Sequence, residues 1–420
     1  MKKILISIIL LITSSLVLAD WGATPLSDND RPKRGWIKSF SKAKIRLADE
    51  NRNIQDTINA CPRSGYCIVK VKKKNSPYPA FYLNHSKTKI MGISDNNNSK
   101  PEIHITKPDN ESATYIWIDN DNADKSLKEV IIENLSLVGR KIDGRGNSLK
   151  GIIVQSSNIS KIQIIKNNID GIQVIGSTAN NNDIAFTEAI GVQGTGNKDY
   201  NTITDIIIEN NIVTNMRTGN SESVNISGNV KNWEIKNNQI TDVDNIAIDA
   251  GGNGKNAVDA ARYGFIEGNT VKEFVFPEDY RAAAIYIDGG KYIHVEGNST
   301  INTGKNYTKG NQIGYQIGAE NCMVASHITM VNNHSLINAK REDLMIGGWG
   351  KVGCDGSDDG VGSIAFITVK NNNFKQTTMS YRISHAIIDE SGVKEVNQRG
   401  DGFVPKKHLP NGNAIKTNKR

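Results

Sequence analysis

The chain has 420 residues, of which 37% are hydrophobic and 23% are charged, and its formal net charge is +7. This balance excludes a polytopic membrane protein, which needs more apolar residues, and a wholly disordered chain, which has fewer. Fifty asparagines, 38 glycines and many isoleucines disfavour an all-helical fold, and the glycines lack the three-residue period of collagen.

The N-terminus has the pattern of an export signal. Lys2 and Lys3 precede an apolar run, and Val17–Ala19 offers small residues for cleavage before Asp20. The run is short for a membrane span, so we predict a signal peptide at residues 1–19, with an uncleaved anchor helix as the alternative. No later segment reaches transmembrane length. The sequence therefore predicts a secreted or periplasmic protein.

The first part of the mature chain predicts a cap. Residues 20–52 show no regular pattern and are predicted to be irregular. Residues 53–60 place Ile54 and Ile58 four positions apart among polar residues, which indicates a short amphipathic helix. A strand is predicted directly after it, at residues 67–71. Because both ends of a repetitive fold expose a core, we expect this helix to cover one of them.

The chain contains four cysteines, and their spacing suits no zinc module. Export favours disulfides over free thiols. Three pairings are possible, and the preferred interpretation joins Cys61 with Cys67 and Cys322 with Cys354.

One short phrase returns along most of the chain: a β-rich run followed by a polar pair that ends in asparagine. The intervals between the final asparagines range from 27 to 43 residues, which indicates a solenoid whose stacked units differ in their loops. These final asparagines are Asn168, Asn211, Asn238, Asn269, Asn298, Asn333 and Asn372.

A second phrase lies between the asparagine turns and alternates apolar residues with polar or small ones. Alternation places one set of residues inward, namely Ile226, Ile248, Ile287, Ile317 and Ile346. It places another set outward, including Asn225, Ala247, Tyr286, Gln316 and Met345. In stacked parallel strands about 4.8 Å apart, the isoleucines would form one core and the asparagines one hydrogen-bonded ladder. We predict an all-β fold, a single-stranded right-handed parallel β-helix over residues 53–392, and a basic tail over residues 393–420.

Four segments carry a family resemblance. Residues 244–251, 284–290, 317–321 and 346–349 resemble recurring phrases of secreted bacterial right-handed parallel β-helix proteins of the pectate-lyase-like superfamily. The resemblance spans roughly residues 53–389. It implies the fold and the binding of an extended polysaccharide along an outer sheet. It leaves the activity open, because this superfamily holds lyases, hydrolases, esterases and non-enzymes.

Two aspartates stand out as candidate catalytic residues. The phrases align Asp249 with Asp288, which predicts equivalent outward positions with carboxylates about 5 Å apart on adjacent coils. Two anions so close indicate a bound cation, an arginine partner or one raised pKa. Glu320 is a candidate third acid, and Asp244 joins the two aspartates in a predicted calcium site. The alternative is that these aspartates only cap turns into glycine loops.

Basic and aromatic side chains near these acids complete the prediction. Arg281, on an inserted segment, and Arg262 are candidate catalytic cations, and His327 is a candidate base. For each of them a structural role is the alternative. The predicted substrate-binding residues are Tyr286, Gln316, Trp349, Lys291 and Arg341.

These observations predict an exported enzyme that degrades a polysaccharide. A lyase that cleaves an acidic, uronate-containing glycan by β-elimination is favoured, since a mildly basic protein suits an acidic polymer. The alternative explanation of the scattered basic charge is an ordinary solvated surface. A glycoside hydrolase with paired carboxylates is one alternative, and a non-catalytic glycan-binding or surface protein is the other. Calcium is the only cofactor expected. The chain shows no nucleic-acid module and is expected to act as a monomer.

Overall fold

The computed structural model describes most of the chain. The described residues are 23, 25–107, 111–120, 126–143, 147–175, 186–196, 198–219, 221–252, 259–275, 283–303, 313–319, 323–337, 342–347, 363–374, 377–380, 383–389, 396–399 and 416–417. The predicted signal peptide at residues 1–19 lies outside them.

The described chain winds through three parallel sheets, S1, S2 and S3, so that each turn adds one strand to each sheet in most coils. S1 contains β1 (Lys44–Ala48), β2 (Cys67–Lys72), β5 (Thr88–Ile93), β8 (Leu127–Glu133), β12 (Ile159–Ile165), β16 (Ile203–Glu209), β19 (Val230–Lys236), β22 (Arg262–Glu267), β25 (Lys291–Glu296), β28 (Val324–Val331), β31 (Ser363–Lys370) and β33 (Ile383–Asp389). S2 contains β4 (Phe81–Leu83), β7 (Ala113–Asp119), β11 (Ser148–Ser156), β15 (Phe186–Gly194), β18 (Glu222–Gly228), β21 (Ile246–Gly251), β24 (Ala283–Asp288), β27 (Ile313–Gly318), β30 (Leu344–Ile346), β32 (Thr377–Ser380), β34 (Val396–Arg399) and β35 (Lys416–Thr417).

The third sheet is smaller, and a two-stranded sheet lies beside it. S3 contains β3 (Tyr78–Pro79), β6 (Glu102–His104), β9 (Ser136–Val138), β13 (Asn168–Asp170), β17 (Ile212–Met216), β20 (Gln239–Asp244), β23 (Thr270–Val275), β26 (Ser299–Asn302) and β29 (His334–Ile337). The small sheet pairs β10 (Lys141–Asp143) with β14 (Gln173–Ile175). The fold is a right-handed parallel β-helix, as the repeat predicts. β1 precedes the predicted start of the helix, and β34 and β35 lie within the predicted tail.

Isoleucine and valine fill the interior. The five isoleucines predicted to point inward are all buried in one continuous core. The prediction for Ala247 is wrong, because Ala247 and Ile248 both face the core where β21 bends. Ile246 instead packs outside the core with Tyr286. Two consecutive inward residues break the period of two, and alternation alone does not detect such a bend.

The predicted asparagine ladder is confirmed, with one correction. Each buried asparagine accepts hydrogen bonds from the backbone and side-chain amides of the preceding one, as Asn238 does from Asn211 at 2.9 and 3.0 Å. The first member is Asn167, not Asn168, because Asn167 is the residue that donates to Asn211. Buried amides that satisfy one another this way fix the register of successive coils.

The predicted cap is also confirmed. Helix α1 (Ile54–Asn59) begins after Asn53, whose side chain accepts a 2.7 Å hydrogen bond from the Asp56 amide. Ile54 and Ile58 are buried in the core. The predicted disulfide between Cys61 and Cys67 is present, whereas Cys322 and Cys354 lie outside the described residues.

Residues 25–43, here called the strap, lie on the outer face of S1. They contain 3-10 helices at Asp28–Asp30 and Gly35–Lys42. Trp36 and Phe40 of the second helix pack against Ile131 of β8. The strap thus covers apolar surface that S1 would otherwise expose. Within the described residues, the chain contains no helix long and apolar enough to cross a membrane.

Candidate functional site

A polar cleft of about 450 Å³ lies on the outer face of S2, across β11, β15, β18, β21 and β24. Its lining includes four acids, Glu188, Glu222, Asp249 and Asp288. Among the lining residues that the structure describes, Lys150 carries the one positive charge. We refer to this feature as the carboxylate cleft.

A bend in each strand brings the two glutamates into the cleft. In β15 both Ala189 and Ile190 face the core, so Glu188 before them points outward. Ile190 pairs with Val224 of β18, and Glu222 therefore occupies the position equivalent to Glu188 on the neighbouring strand. Adjacent parallel strands lie about 4.8 Å apart, which places the two glutamates within strong electrostatic reach of each other.

Glu188 is only 1% exposed and is held from several sides. The Gln193 side-chain amide donates to both of its oxygens, at 2.8 and 3.1 Å, and that of Asn225 donates at 3.0 Å. Lys150 Nζ lies 3.3 Å from Glu188 Oε2. A carboxylate is an acceptor-only group that satisfies all of these donors. Gly191 leaves the space for it, since a Cβ there would lie 2.7 Å from Glu188 Oε2.

Glu222 has a different environment. Among the described residues, its side chain has one hydrogen-bond partner, Ser221, whose hydroxyl donates to Glu222 Oε2 at 3.2 Å. Burial, followed by the negative charges of Glu188 and Asp288, raises the pKa of Glu222 to about 8. Two neighbouring glutamates therefore have different roles available: Glu222 holds a proton at neutral pH, and Glu188 accepts hydrogen bonds.

Asp249 and Asp288 both line the cleft, but the predicted equivalence of their positions is wrong. Asp249 pairs in register with Asn225 on one side and Tyr286 on the other, whereas Asp288 pairs with Gly318. The phrases at residues 246–249 and 285–288 are offset by two residues, because Ile248, not Ile246, pairs in register with Ile285. The two aspartates therefore belong to different outward rows. Asp249 is 7% exposed and lies beside Gly251.

The predicted sugar-binding residues Tyr286 and Gln316 are buried. Tyr286 packs in an outer apolar cluster with Ile246, and its ring covers Gly318. The Gln316 amide donates to the Gly347 carbonyl at 3.3 Å. Neither side chain lines the carboxylate cleft.

Three predicted basic residues lie on S1 instead of S2, so the prediction that they join the acids is wrong. Arg262 is buried and pairs with Asp199 at 2.8 Å. Lys291 is its register neighbour, and burial together with the Arg262 charge lowers the pKa of Lys291. His327 stacks between Tyr292 and Phe366, at ring distances of 4.3 and 4.7 Å, and burial lowers its pKa.

The predicted calcium trio of Asp244, Asp249 and Asp288 does not converge. Asp244 lies at the end of β20 and accepts hydrogen bonds from the Thr218 amide and hydroxyl at 2.6 and 3.2 Å. Burial raises the pKa of Asp244 to about 6, although the Thr218 bonds oppose that shift. Asp244 does not line the cleft. Its carboxylate instead holds Thr218 of the neighbouring coil.

One group in the described part of the chain could hold a metal ion. Glu267, His294 and Glu296, on the outer face of S1, bring ligand atoms within 4.8 Å of one another. Glu267 already pairs with Arg31 at 2.5 Å and with Lys236 at 3.2 Å. An ion would have to compete with both cations, and it would lie on a different sheet from the carboxylate cleft.

Several predicted residues lie outside the described part of the chain: Arg281, Glu320, Arg341 and Trp349. Sequence reasoning missed Glu188, Glu222 and Lys150. The available signal was that an acid stands two residues before the inward Ile190 and Val224. Alternation assigns such a position to the core, so only the strand bend shows that these glutamates face the cleft.

No family model and no curated protein matches the chain. Among solved structures, it is similar to the A-module of the mannuronan C-5 epimerase AlgE6 from Azotobacter vinelandii, with 11% identity and a TM-score of 0.46 over 91% of this chain and 99% of that one. It is also similar to the surface adhesin PfbA of Streptococcus pneumoniae, with 11% identity and a TM-score of 0.46 over 79% of this chain and 76% of that one. A third similar structure is an endo-xylogalacturonan hydrolase from Aspergillus tubingensis, with 11% identity and a TM-score of 0.46 over 89% of this chain and 100% of that one. At this identity the likeness concerns the fold alone.

Proposed function

We propose that the protein is an exported glycoside hydrolase that cleaves a neutral polysaccharide in the carboxylate cleft. The observation that carries the proposal is the pair of neighbouring glutamates in unlike environments, Glu222 with a pKa raised to about 8 and Glu188 held by three amide hydrogen bonds and Lys150. Glycosidic hydrolysis needs one protonated and one ionised carboxyl group on either side of the scissile bond.

In this proposal Glu222 acts as the general acid. It keeps its proton at neutral pH and donates it to the departing glycosidic oxygen as the C–O bond breaks. A neighbouring carboxylate, Glu188 or Asp249, activates the water or attacks the anomeric carbon. Gln193 and Asn225 hold Glu188 in one orientation, which removes the need for it to reorganise during the reaction.

The charge of the cleft favours a neutral substrate over the acidic glycan that the net charge of the chain suggests. Four carboxyl groups face one lysine among the described lining residues, and that lysine already pairs with Glu188. A uronate would meet like charges here. An elimination also needs a cation to neutralise the sugar carboxylate, and the described cleft offers only Lys150 for this task.

Incubation of the mature protein with single polysaccharides tests the proposal. The panel contains the neutral glycans xylan, arabinan, mannan and β-glucan and the acidic glycans polygalacturonate and alginate. We expect new reducing ends from a neutral glycan without ultraviolet absorbance from an unsaturated product, and release slowed by about 10²–10⁴-fold in Glu222→Gln. Glu102→Gln is the matched control, because Glu102 is a partly exposed glutamate of S3 outside the cleft.

Other outcomes would replace the proposal. Absorbance from an acidic glycan would identify a lyase. Binding of a glycan without any product would identify a non-catalytic binding protein. In that case the cleft residues would only form hydrogen bonds to the glycan.

A further inference from the structure

A second cavity of about 510 Å³ lies on S2 beside the carboxylate cleft, toward the N-terminal end of the β-helix. It spans the edge of β3, β7 and β11. Its described lining contains hydroxyl and apolar side chains together with Lys107, Lys150 and Gln155, but no carboxylate. Lys150 and Gln155 line both cavities, so the two adjoin each other.

Trp117 is the prominent side chain of this second cavity. It points outward from β7, pairs in register with Tyr82 and Ile153, and is 42% exposed. The Tyr82 ring meets it edge to face at 5.9 Å and an angle of 87°, which restrains the indole. Leaving so much of a tryptophan in water forgoes a large part of the free energy that its burial would supply. The core tryptophan, Trp233, is fully buried by contrast.

We propose that this cavity is a subsite for a sugar ring of the same glycan chain that is cut in the carboxylate cleft, with Trp117 as the stacking platform. The inference rests on the proposed function only for the nature of the ligand. A pyranose ring presents an apolar face of C–H groups, which aromatic side chains contact, and a rim of hydroxyls. Thr114 and Ser148 offer hydroxyl partners for that rim.

The spacing fits one ligand that occupies both cavities. β7 lies three strands from β18, the strand of Glu222, and three strand steps correspond to about 14 Å. An oligosaccharide can span this distance, whereas a single sugar cannot. Lys150 and Gln155 lie between the two positions and can donate hydrogen bonds to hydroxyls along the way.

Kinetics with substrates of two lengths test the subsite, using the glycan that the panel identifies. For a long oligosaccharide we expect Trp117→Ala to raise KM about tenfold (about 1.4 kcal/mol) at unchanged kcat. A short chromogenic glycoside that occupies only the carboxylate cleft should show no change, and Trp117→Phe should recover most of the loss. Tyr200→Ala is the control, because Tyr200 is a 76% exposed aromatic residue outside both cavities. An unchanged KM of Trp117→Ala on the long substrate would overturn the subsite.

Titration of the same oligosaccharide into Glu222→Gln, with and without Trp117→Ala, separates the two proposals. Hydrolysis by the wild type together with affinity that does not depend on Trp117 would overturn the subsite and leave the hydrolase proposal standing. Absence of hydrolysis together with Trp117-dependent affinity would overturn the hydrolase and support the subsite. Binding of no glycan by any variant would overturn both.

Discussion

The outer faces of S1 and S2 both carry stacked acidic residues, but their surroundings differ. On S1, Glu209, Glu234 and Glu267 meet Arg31 and Arg34 of the strap, with Lys236 beside Glu267. On S2, the four acids of the carboxylate cleft meet one lysine among the described lining residues. On S1 the acids form ion pairs that hold the strap against the sheet. On S2 the acids are not neutralised by arginines of such a segment, so their charges and protons are available for catalysis.

The pKa shifts of the two faces have opposite signs. On S1, burial acts to raise the pKa of Glu267, but hydrogen bonds and charges from Arg31, with Lys236, outweigh it and hold that pKa below its ordinary value. On S2, burial raises the pKa of Glu222, and Glu188 and Asp288 add to the effect. The two glutamates therefore differ in the sign of the neighbouring charges, which are cations for Glu267 and carboxylates for Glu222.

The largest expected effect is on catalysis. Glu222→Gln should lower kcat/KM on the cleaved glycan by about 10²–10⁴-fold, because an amide cannot donate the proton that the leaving oxygen needs. Steady-state release of reducing ends measures the change, and a near-ultraviolet circular dichroism spectrum checks the fold. An equal reduction of kcat/KM by Glu267→Gln on S1 would contradict the assignment of catalysis to the S2 face.

Removal of the strap cations should cost stability without altering the cleft. The double variant Arg31→Ala with Arg34→Ala leaves Glu234 and Glu267 beside one another without these guanidinium partners, and we expect a loss of about 2 kcal/mol in the free energy of unfolding. Urea denaturation measures it. Arg63→Ala, at an exposed arginine of the cap region, is the control and should change less than about 0.5 kcal/mol. An equal change in both variants would show that the strap pairs contribute nothing specific.

Activity should depend on pH through Glu222. Its acid form predominates below its pKa of about 8, so kcat/KM should fall about tenfold per pH unit above that value. A profile of kcat/KM from pH 5 to 10 measures this limb. A fall beginning near pH 5 instead would mean that Glu222 is ionised at neutral pH and is not the acid.

The smallest effect is a pair of opposite stability changes. The folded protein keeps a proton on Glu222 that the unfolded chain releases above the ordinary carboxyl pKa, so Glu222 lowers stability as pH rises from there to about 8. Glu222→Gln should therefore raise the free energy of unfolding at pH 8, on the order of 1 kcal/mol. Glu267 has a lowered pKa and stabilises above the ordinary value, a contribution that is lost in acid, so Glu267→Gln should lower stability at pH 8. Thermal unfolding of both variants at pH 8 and pH 4 measures the signs, and changes of the same sign at pH 8 would contradict the comparison.

The fold could be predicted from the sequence because its signals are local and repeated. The asparagine turns predicted the ladder from Asn211 to Asn372, and the isoleucines predicted the core. The error at Asn167 is one residue, because two adjacent asparagines present the same pattern and only the hydrogen bonds distinguish them. Ile54 and Ile58 predicted the cap for the same local reason, their spacing on one helical face.

The site could be predicted only in part. Asp249 and Asp288 were found because they follow the repeated phrase, but their relation depended on the strand register, in which Asp249 pairs with Tyr286 and not with Asp288. Arg262 and His327 are near these acids in sequence and lie on another sheet, because a coil of three strands carries successive residues to different faces. The signal peptide, the second cysteine pair and Arg281 remain predictions.

The sequence by itself therefore determined the coil, its core and its cap, since periodic burial and side-chain amide pairing repeat at short range. The tertiary structure alone decided which acids meet. The stacking of coils brings Glu188 beside Glu222, and the path of the strap brings its arginines onto S1. Both contacts join residues that are far apart in sequence, so no local pattern predicts them. The chemistry of each face follows from those long-range neighbours, because the proton affinity of a carboxylate depends on the charges within a few ångströms of it.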